Sequence, residues 1–270
     1  MRIVRLFGPV FMFLLLFTAC DNFQKVKKSN DMDWKYDKAL EYYNNEKHYK
    51  AIPLFEELIS VYKGTKQVQD IYYYYAYSQY EQENYLVAAY HFDNLYTNFP
   101  NGEFAEDCAY MNGYSYYKMS PRVSLEQKYT KKAIKAFKRY KRKYPGSERI
   151  DKVDRLLEEM TLKLEQKLFN AGMLYYKMER FIASAETFSN FLEEYPSSKK
   201  ADRAKFMEFK SNYLLAKNSV EKRKQQRYQK AIDSYYAFVD EYPSSSYVKE
   251  AEELFQKSRN KLDKRKAQNE

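Results

Sequence analysis

The chain has 270 residues, 31% charged and 44% hydrophobic, with 6 Gly and 7 Pro beside 30 Tyr and 18 Phe, and a formal net charge of +10. Two His, two Cys and so few Gly leave little from which to assemble a His-rich metal centre, a Cys cluster or a Gly-rich phosphate loop. Scarce Gly and Pro beside abundant Lys, Glu, Leu, Ala and Tyr favour long helices over a β-sandwich, and the fold class expected is all-α.

Met1 to Ala19 carry Arg2 and Arg5 and then an apolar run ending Leu14-Leu15-Leu16-Phe17. A charged start, a short apolar stretch and small residues before a cleavage point read as a secretory signal peptide over 1–19, too short for a comfortable membrane span. Its end, Leu16-Phe17-Thr18-Ala19-Cys20, resembles the bacterial lipobox, in which the Cys sulfur is acylated and becomes the mature N-terminus. Cys20 is the expected lipidation site. Loss of residues 1–19 takes away Arg2 and Arg5 and no acid, which leaves a net charge of +8. In an exported chain these cations serve solubility, anionic lipid or an acidic protein partner rather than nucleic acid. With Cys20 acylated, Cys108 is the remaining thiol, so packing rather than a disulfide must hold the fold. Residues 20–33, polar and lysine-rich, read as a tether between lipid and the folded domain, 34–270.

Within that domain a pattern recurs: a small residue, an aromatic four later, an apolar residue seven later, an aromatic eleven later, and usually Pro straight after. It reads Ala51, Phe55, Leu58, Tyr62; Ala88, Phe92, Leu95, Phe99, Pro100; and Ala133, Phe137, Tyr140, Tyr144, Pro145. It returns as Ser184, Phe188, Phe191, Tyr195, Pro196 and as Ala231, Tyr235, Phe238, Tyr242, Pro243. Such offsets trace one face of a helix, and the Pro ring stops it. Each interval leaves room for one earlier helix and a turn, so helical hairpins are predicted over about 34–64, 68–100, 103–145, 150–196 and 198–243.

Twelve residues before each small residue stand Ala39, Ala76 and Gly172, where paired helices cross closely. Gly113 fits the third hairpin with an insertion near Ser120-Pro121, and Ser211 the fifth with Lys217 to Arg227 as an extension. The stretch from Ile150 to Lys177 holds no Pro and one Gly, which predicts a helix of twice the usual length. Ser244-Ser245-Ser246 introduce a final helix over 247–265. Leu168, Ala171, Gly172, Tyr175, Phe181, Ser184, Phe188, Phe191 and Pro196 resemble the tetratricopeptide consensus almost position for position. The resemblance implies a solenoid of five helical hairpins plus a C-terminal capping helix, in which no hairpin buries its apolar face alone.

Chemistry finds little foothold. His48 and His91 lie in different repeats without a carboxylate or Cys at metal-ligand spacing, no nucleophile is paired with a base, and no catalytic residue, metal or cofactor is expected. Cys108 occupies a slot filled by Val or Ala in other repeats, which reads as a packed thiol. The run Lys131-Lys132, Lys135, Lys138-Arg139, Lys141-Arg142-Lys143 is either a solvated face or a docking patch. Offsets −3, +1 and +4 from the small residue of each first helix give Tyr36, Leu40, Tyr43; Tyr73, Tyr77, Tyr80; Tyr110, Tyr114, Tyr117; and Phe169, Met173, Tyr176. This stripe, on the side that lines the concave groove in tetratricopeptide proteins, suits an extended apolar or aromatic peptide, with packing against a neighbouring helix as the alternative. In the fifth repeat it changes to Glu208, Asn212 and Leu215.

A signal peptide ending at a lipidated Cys, a short tether and five such repeats, the last four ending in Tyr-Pro or Phe-Pro, resemble the BamD family of lipoproteins in the outer-membrane β-barrel assembly machinery, across essentially the whole chain. The resemblance implies a non-enzymatic, periplasm-facing subunit anchored in the outer membrane. Its implied partners are the barrel subunit BamA, other assembly-machinery subunits and unfolded outer-membrane proteins. Asp21 after the Cys is a departure, since in some bacteria it retains lipoproteins in the inner membrane. A tetratricopeptide lipoprotein that scaffolds cell-wall or secretion enzymes is the competing reading.

Overall fold

A computed structural model describes residues 21–269; the signal segment and Cys20 lie outside them. Twelve helices and no strand occur among the described residues. After a short α1 (Asp21–Lys27) come the hairpins α2 (Met32–Asn44) with α3 (His48–Val61), α4 (Val68–Glu81) with α5 (Tyr85–Asn98), and α6 (Ala105–Lys118) with α7 (Lys128–Lys143). Then follow α8 (Ile150–Lys177) with α9 (Phe181–Glu194), α10 (Ala201–Lys217) with α11 (Glu221–Glu241), and the final α12 (Val248–Asn269). The all-α series of tetratricopeptide-like hairpins plus a last helix is thus present, with α8 at 28 residues.

The described residues divide into two compact units, one running to 121 and over 126–157, the other made of 122–125 and of the chain from 158 onwards. In each, the repeating aromatic of the second helix lies in the core: Phe55, Phe92 and Phe137 in the first and Phe188 in the second are fully buried, and Tyr235 in the fifth repeat is 6% exposed. Burial of each such ring removes enough apolar surface to contribute roughly 1.5 to 3 kcal/mol. The small residue of the first helix makes room for it. A Cβ on Gly113 would stand 2.9 Å from the Phe137 ring, and one on Gly172 2.8 Å from the Phe188 ring, closer than carbon atoms approach.

Short turns close three of the hairpins in one way. Glu46, Glu83 and Glu179 take positive φ, at 58°, 59° and 57°. In each turn the next amide reaches back to an early carbonyl, Lys47 to Tyr42, Asn84 to Gln79 and Arg180 to Tyr175, at 2.8 to 2.9 Å. This is the Schellman closure, in which a left-handed residue usually supplied by Gly lets the chain double back and satisfy the last carbonyls of the helix.

One sequence expectation changes. The tether over 20–33 is interrupted, because residues 21–27 form α1 and Val26 is 1% exposed within the core of the first hairpin. One apolar residue at the right helical position outweighs the polar composition around it. The extension at Lys217 to Arg227 is mostly helix, a lengthened start of α11 after the turn at Asn218–Val220. Its charged side chains face out, since only Tyr228, Ala231, Ile232, Tyr235 and Phe238 of α11 are buried.

Candidate functional site

The tyrosines singled out in the first three repeats gather within the first unit in two ring clusters, bridged by Asp107 and Arg149 between Tyr77 and Tyr110. Tyr43 of α2 packs edge-on to Tyr74 of α4 at 4.9 Å between ring centroids, and Tyr74 meets Tyr73 at 5.6 Å. Tyr73 lies 4.8 Å from Tyr77 and stacks on Phe104 at 4.1 Å. Tyr80 stacks on Tyr114 at 6.2 Å, and Tyr114 on both Tyr110 and Tyr117 at 5.6 and 5.7 Å. Tyr36 joins through its electrostatic proximity to Tyr74 and Asp70, with burial first and then Asp70 pushing its phenol up to about 12. Burial likewise pushes Tyr43 up to about 12. Consecutive first helices carry these rings at offsets of three and four, so neighbours on one helix meet, as Tyr73 with Tyr77 and Tyr110 with Tyr114, while Tyr43–Tyr74 and Tyr80–Tyr114 join one repeat to the next.

The stack has a polar centre. Asp107 accepts hydrogen bonds from Tyr77 and, at 3.1 Å, from Tyr73, and pairs with Arg149 at 2.5 Å. Burial, followed by the charge of Asp107, pushes the Tyr73 and Tyr77 phenols far up, so both stay protonated donors. The Arg149 guanidinium sits 4.6 Å over Tyr110, and the Lys152 ammonium lies 4.9 Å from Tyr114 and 5.4 Å from Tyr110. An aromatic surface edged by two cations suits a ligand that offers both aromatic side chains and negative charge.

The members are not equally open. Tyr110 is 5% exposed, wedged between Phe137 and Tyr140, and Tyr77 packs edge-on to Phe92. Tyr36, Tyr43, Tyr73, Tyr80, Tyr114 and Tyr117 are half-buried. Clefts border the stack: one of about 580 Å³ lined by Tyr43 and His48, another of about 670 Å³ lined by Asp70 and Phe104. Sequence offsets missed Tyr74, Phe104, Asp107, Arg149 and Lys152. Asp107 stands one turn ahead of Tyr110 and could have been found by extending the stripe backwards; Arg149 and Lys152 belong to the turn before α8 and its first residues, far from the repeat's small Gly172.

The remaining candidates fall elsewhere. Cys108 is fully buried, and that burial holds its thiol well above the usual range. His48 is buried against Tyr43, and His91 is half-buried among Tyr72, Tyr75 and Tyr90. The basic run forms α7, where Arg139 pairs with Asp93 at 2.5 Å and Lys141 with Asp154. Beside it lies a cleft of about 260 Å³ lined by Lys132, Lys135, Arg142 and Tyr116. No helix of the described residues is long and apolar enough to cross a membrane.

A family model described as YfiO, outer membrane lipoprotein, matches residues 28–189 and 170–268, which is most of the chain. No curated protein matches it. Among solved structures, the TPR2AB-domain:pHSP90 complex of yeast Sti1 is similar at 13% identity and a TM-score of 0.39, covering 84% of this chain and 98% of that one.

Proposed function

This chain belongs to the YfiO family of outer membrane lipoproteins, and from that premise we propose that it is a non-enzymatic subunit of the β-barrel assembly machinery. In this reading Cys20 carries the lipid, the repeats face the periplasm, and the chain holds unfolded outer-membrane proteins and the barrel subunit BamA together while the barrel folds and inserts. The observation that carries it is the tyrosine stack of the first three repeats with its cationic edge at Arg149 and Lys152. An unfolded barrel protein presents extended segments in which aromatic residues alternate along the strand. Half-buried tyrosines fit such a segment, since the rings supply contact area at small entropic cost and their hydroxyls bond its exposed backbone.

The open members test this best, because they leave the core alone. Tyr80→Ala with Tyr114→Ala is expected to weaken binding of a carboxy-terminal strand peptide by about 1 to 2 kcal/mol per ring, with helical content and capture of the barrel subunit unchanged. Full affinity in that double variant would make the stack a packing column instead of a groove. In a pull-down from detergent-solubilised envelope, a large β-barrel protein supports the reading; a cell-wall enzyme in its place would favour the scaffold alternative.

A further inference from the structure

The junction of α1 with the first hairpin takes no part in the tyrosine stack. α1 starts directly after Cys20 and is fixed in place: Val26 is buried in the hairpin core, and Phe23 packs edge-on to Tyr42 at 5.8 Å. The Lys50 ammonium lies 5.6 to 5.8 Å from the rings of Tyr42, Phe23 and Tyr49 and forms no ion pair among the described residues. Lys25, Lys27 and Lys28 of α1 and Lys47 of the adjoining turn are exposed, none of them in an ion pair among the described residues, and Tyr49 is 61% exposed. One exposed acid, Glu46, shares the turn.

We infer that this junction is a membrane-contact face that binds anionic phospholipid headgroups, with Tyr49 entering the interfacial layer. The inference rests on the reading of Cys20 as the lipidated residue. No residue separates that Cys from a helix locked to the first hairpin, so an acyl anchor brings the bilayer surface to α1 and the adjoining α2–α3 turn rather than to a domain on a long leash. Five ammoniums at that place, against the acids Glu46 and Asp21, match a layer of phosphates, each attracted within a Debye length of an anionic surface. An exposed Tyr suits the boundary, where its ring meets acyl carbon and its hydroxyl meets water. The basic helix α7 competes poorly for this role, since Arg139 and Lys141 already spend their charge on Asp93 and Asp154 and nothing ties that helix to the anchored end.

The test needs only the full lipidated protein. It is reconstituted in vesicles of phosphatidylcholine alone or with phosphatidylglycerol, floated on a density gradient, and its lysines are acetylated and read by mass spectrometry. Lys25, Lys27, Lys28, Lys47 and Lys50 are expected to react about fivefold more slowly in the anionic vesicles, the factor a lysine gains near such a surface, while Lys131, Lys135 and Lys138 react equally in both. Equal labelling of the junction lysines in both vesicles, on protein that floats, overturns the inference and leaves the anchor intact. Protection of the α7 lysines instead also overturns it. Protein that fails to float at all removes the lipidation reading, and the inference with it.

Discussion

The two compact units carry the same repeat but use one helix face in opposite ways. In the first, offsets −3, +1 and +4 hold tyrosines that, all but the buried Tyr110, stay half-open, with Tyr73, Tyr77 and Tyr110 gathered about Asp107 and Arg149. In the second, two of the same offsets turn inward, Phe169 and Asn212, while Met173, Tyr176, Glu208 and Leu215 stay half-buried. Phe169 is buried between Phe188 and Phe191, Asn212 is buried and donates to Ser234 at 2.9 Å, and Glu208 pairs with Lys205. The backbone repeat decides where a side chain stands; its chemistry decides whether the place becomes a surface or a seam. An aromatic with a polar tip can remain at the water boundary, whereas an amide buried beside a hydroxyl must close its hydrogen bonds within the protein.

The comparison is broken most sharply at the crossing glycines. Gly172→Leu drives a side chain into Phe188 and is expected to destabilise by about 1 to 3 kcal/mol or more, with lost amide-exchange protection centred on α8, α9 and α10. Gly113→Leu should do the same around Phe137 in the first unit. An unchanged denaturation midpoint for either would mean the helix register is wrong. Next in size is Tyr77→Phe, which removes one buried donor to Asp107 and should cost about 1 kcal/mol of stability. Asn212→Ala has a comparable effect in the second unit by leaving Ser234 without its donor, so similar losses from unlike residues would show both faces are held by hydrogen bonds. At Glu46, Glu83 and Glu179, replacement by Gly relieves left-handed strain and should raise stability by about 0.5 to 1 kcal/mol each after the flexibility of Gly is subtracted, seen as a higher thermal midpoint.

Smallest, and of opposite sign in the two units, is the response to acid. Burial lowers the His91 pKa from 6.5, so the folded first unit prefers the neutral imidazole and loses stability as the pH falls through its folded pKa. Burial raises the Glu208 pKa from 4.5, so the folded second unit prefers the protonated acid; that contribution is present at low pH and is lost as the pH rises through the folded pKa. Exchange protection followed from pH 7 towards 4.5 should weaken around α5 and strengthen around α10. His91→Gln and Glu208→Gln should each flatten their own half of the profile.

Much of this was legible in the chain itself. Ala51, Ala88, Ala133, Ser184 and Ala231 gave the register, and every second helix begins and ends around them because the aromatic face is long, periodic and closed by Pro in all but the first. Gly113 and Gly172 were legible as crossings since only a missing Cβ explains a Gly in a helix facing a Phe. The polar centre of the stack was not. Asp107 and Arg149 come together from α6 and the turn before α8, and no periodicity links a carboxylate on one repeat to a cation that precedes the next. α1 was hidden for a related reason: its helix is held by Val26 and Phe23 against another element, and a window of seven residues shows only their polar neighbours.

The buried thiol of Cys108 also makes the molecule its own recorder. Apart from Cys20, it is the one cysteine of the chain, and Trp34 is the one tryptophan; both belong to the first unit. A thiol sealed at 0% exposure reacts with a probe only when its surroundings open, so its labelling rate counts openings of that unit. Indole emission from Trp34 reports on the same half of the molecule. A melt of the natural protein followed by indole emission is therefore silent on the second unit, and Tyr236→Trp, half-exposed beside Phe255, would give that unit an indole signal of its own.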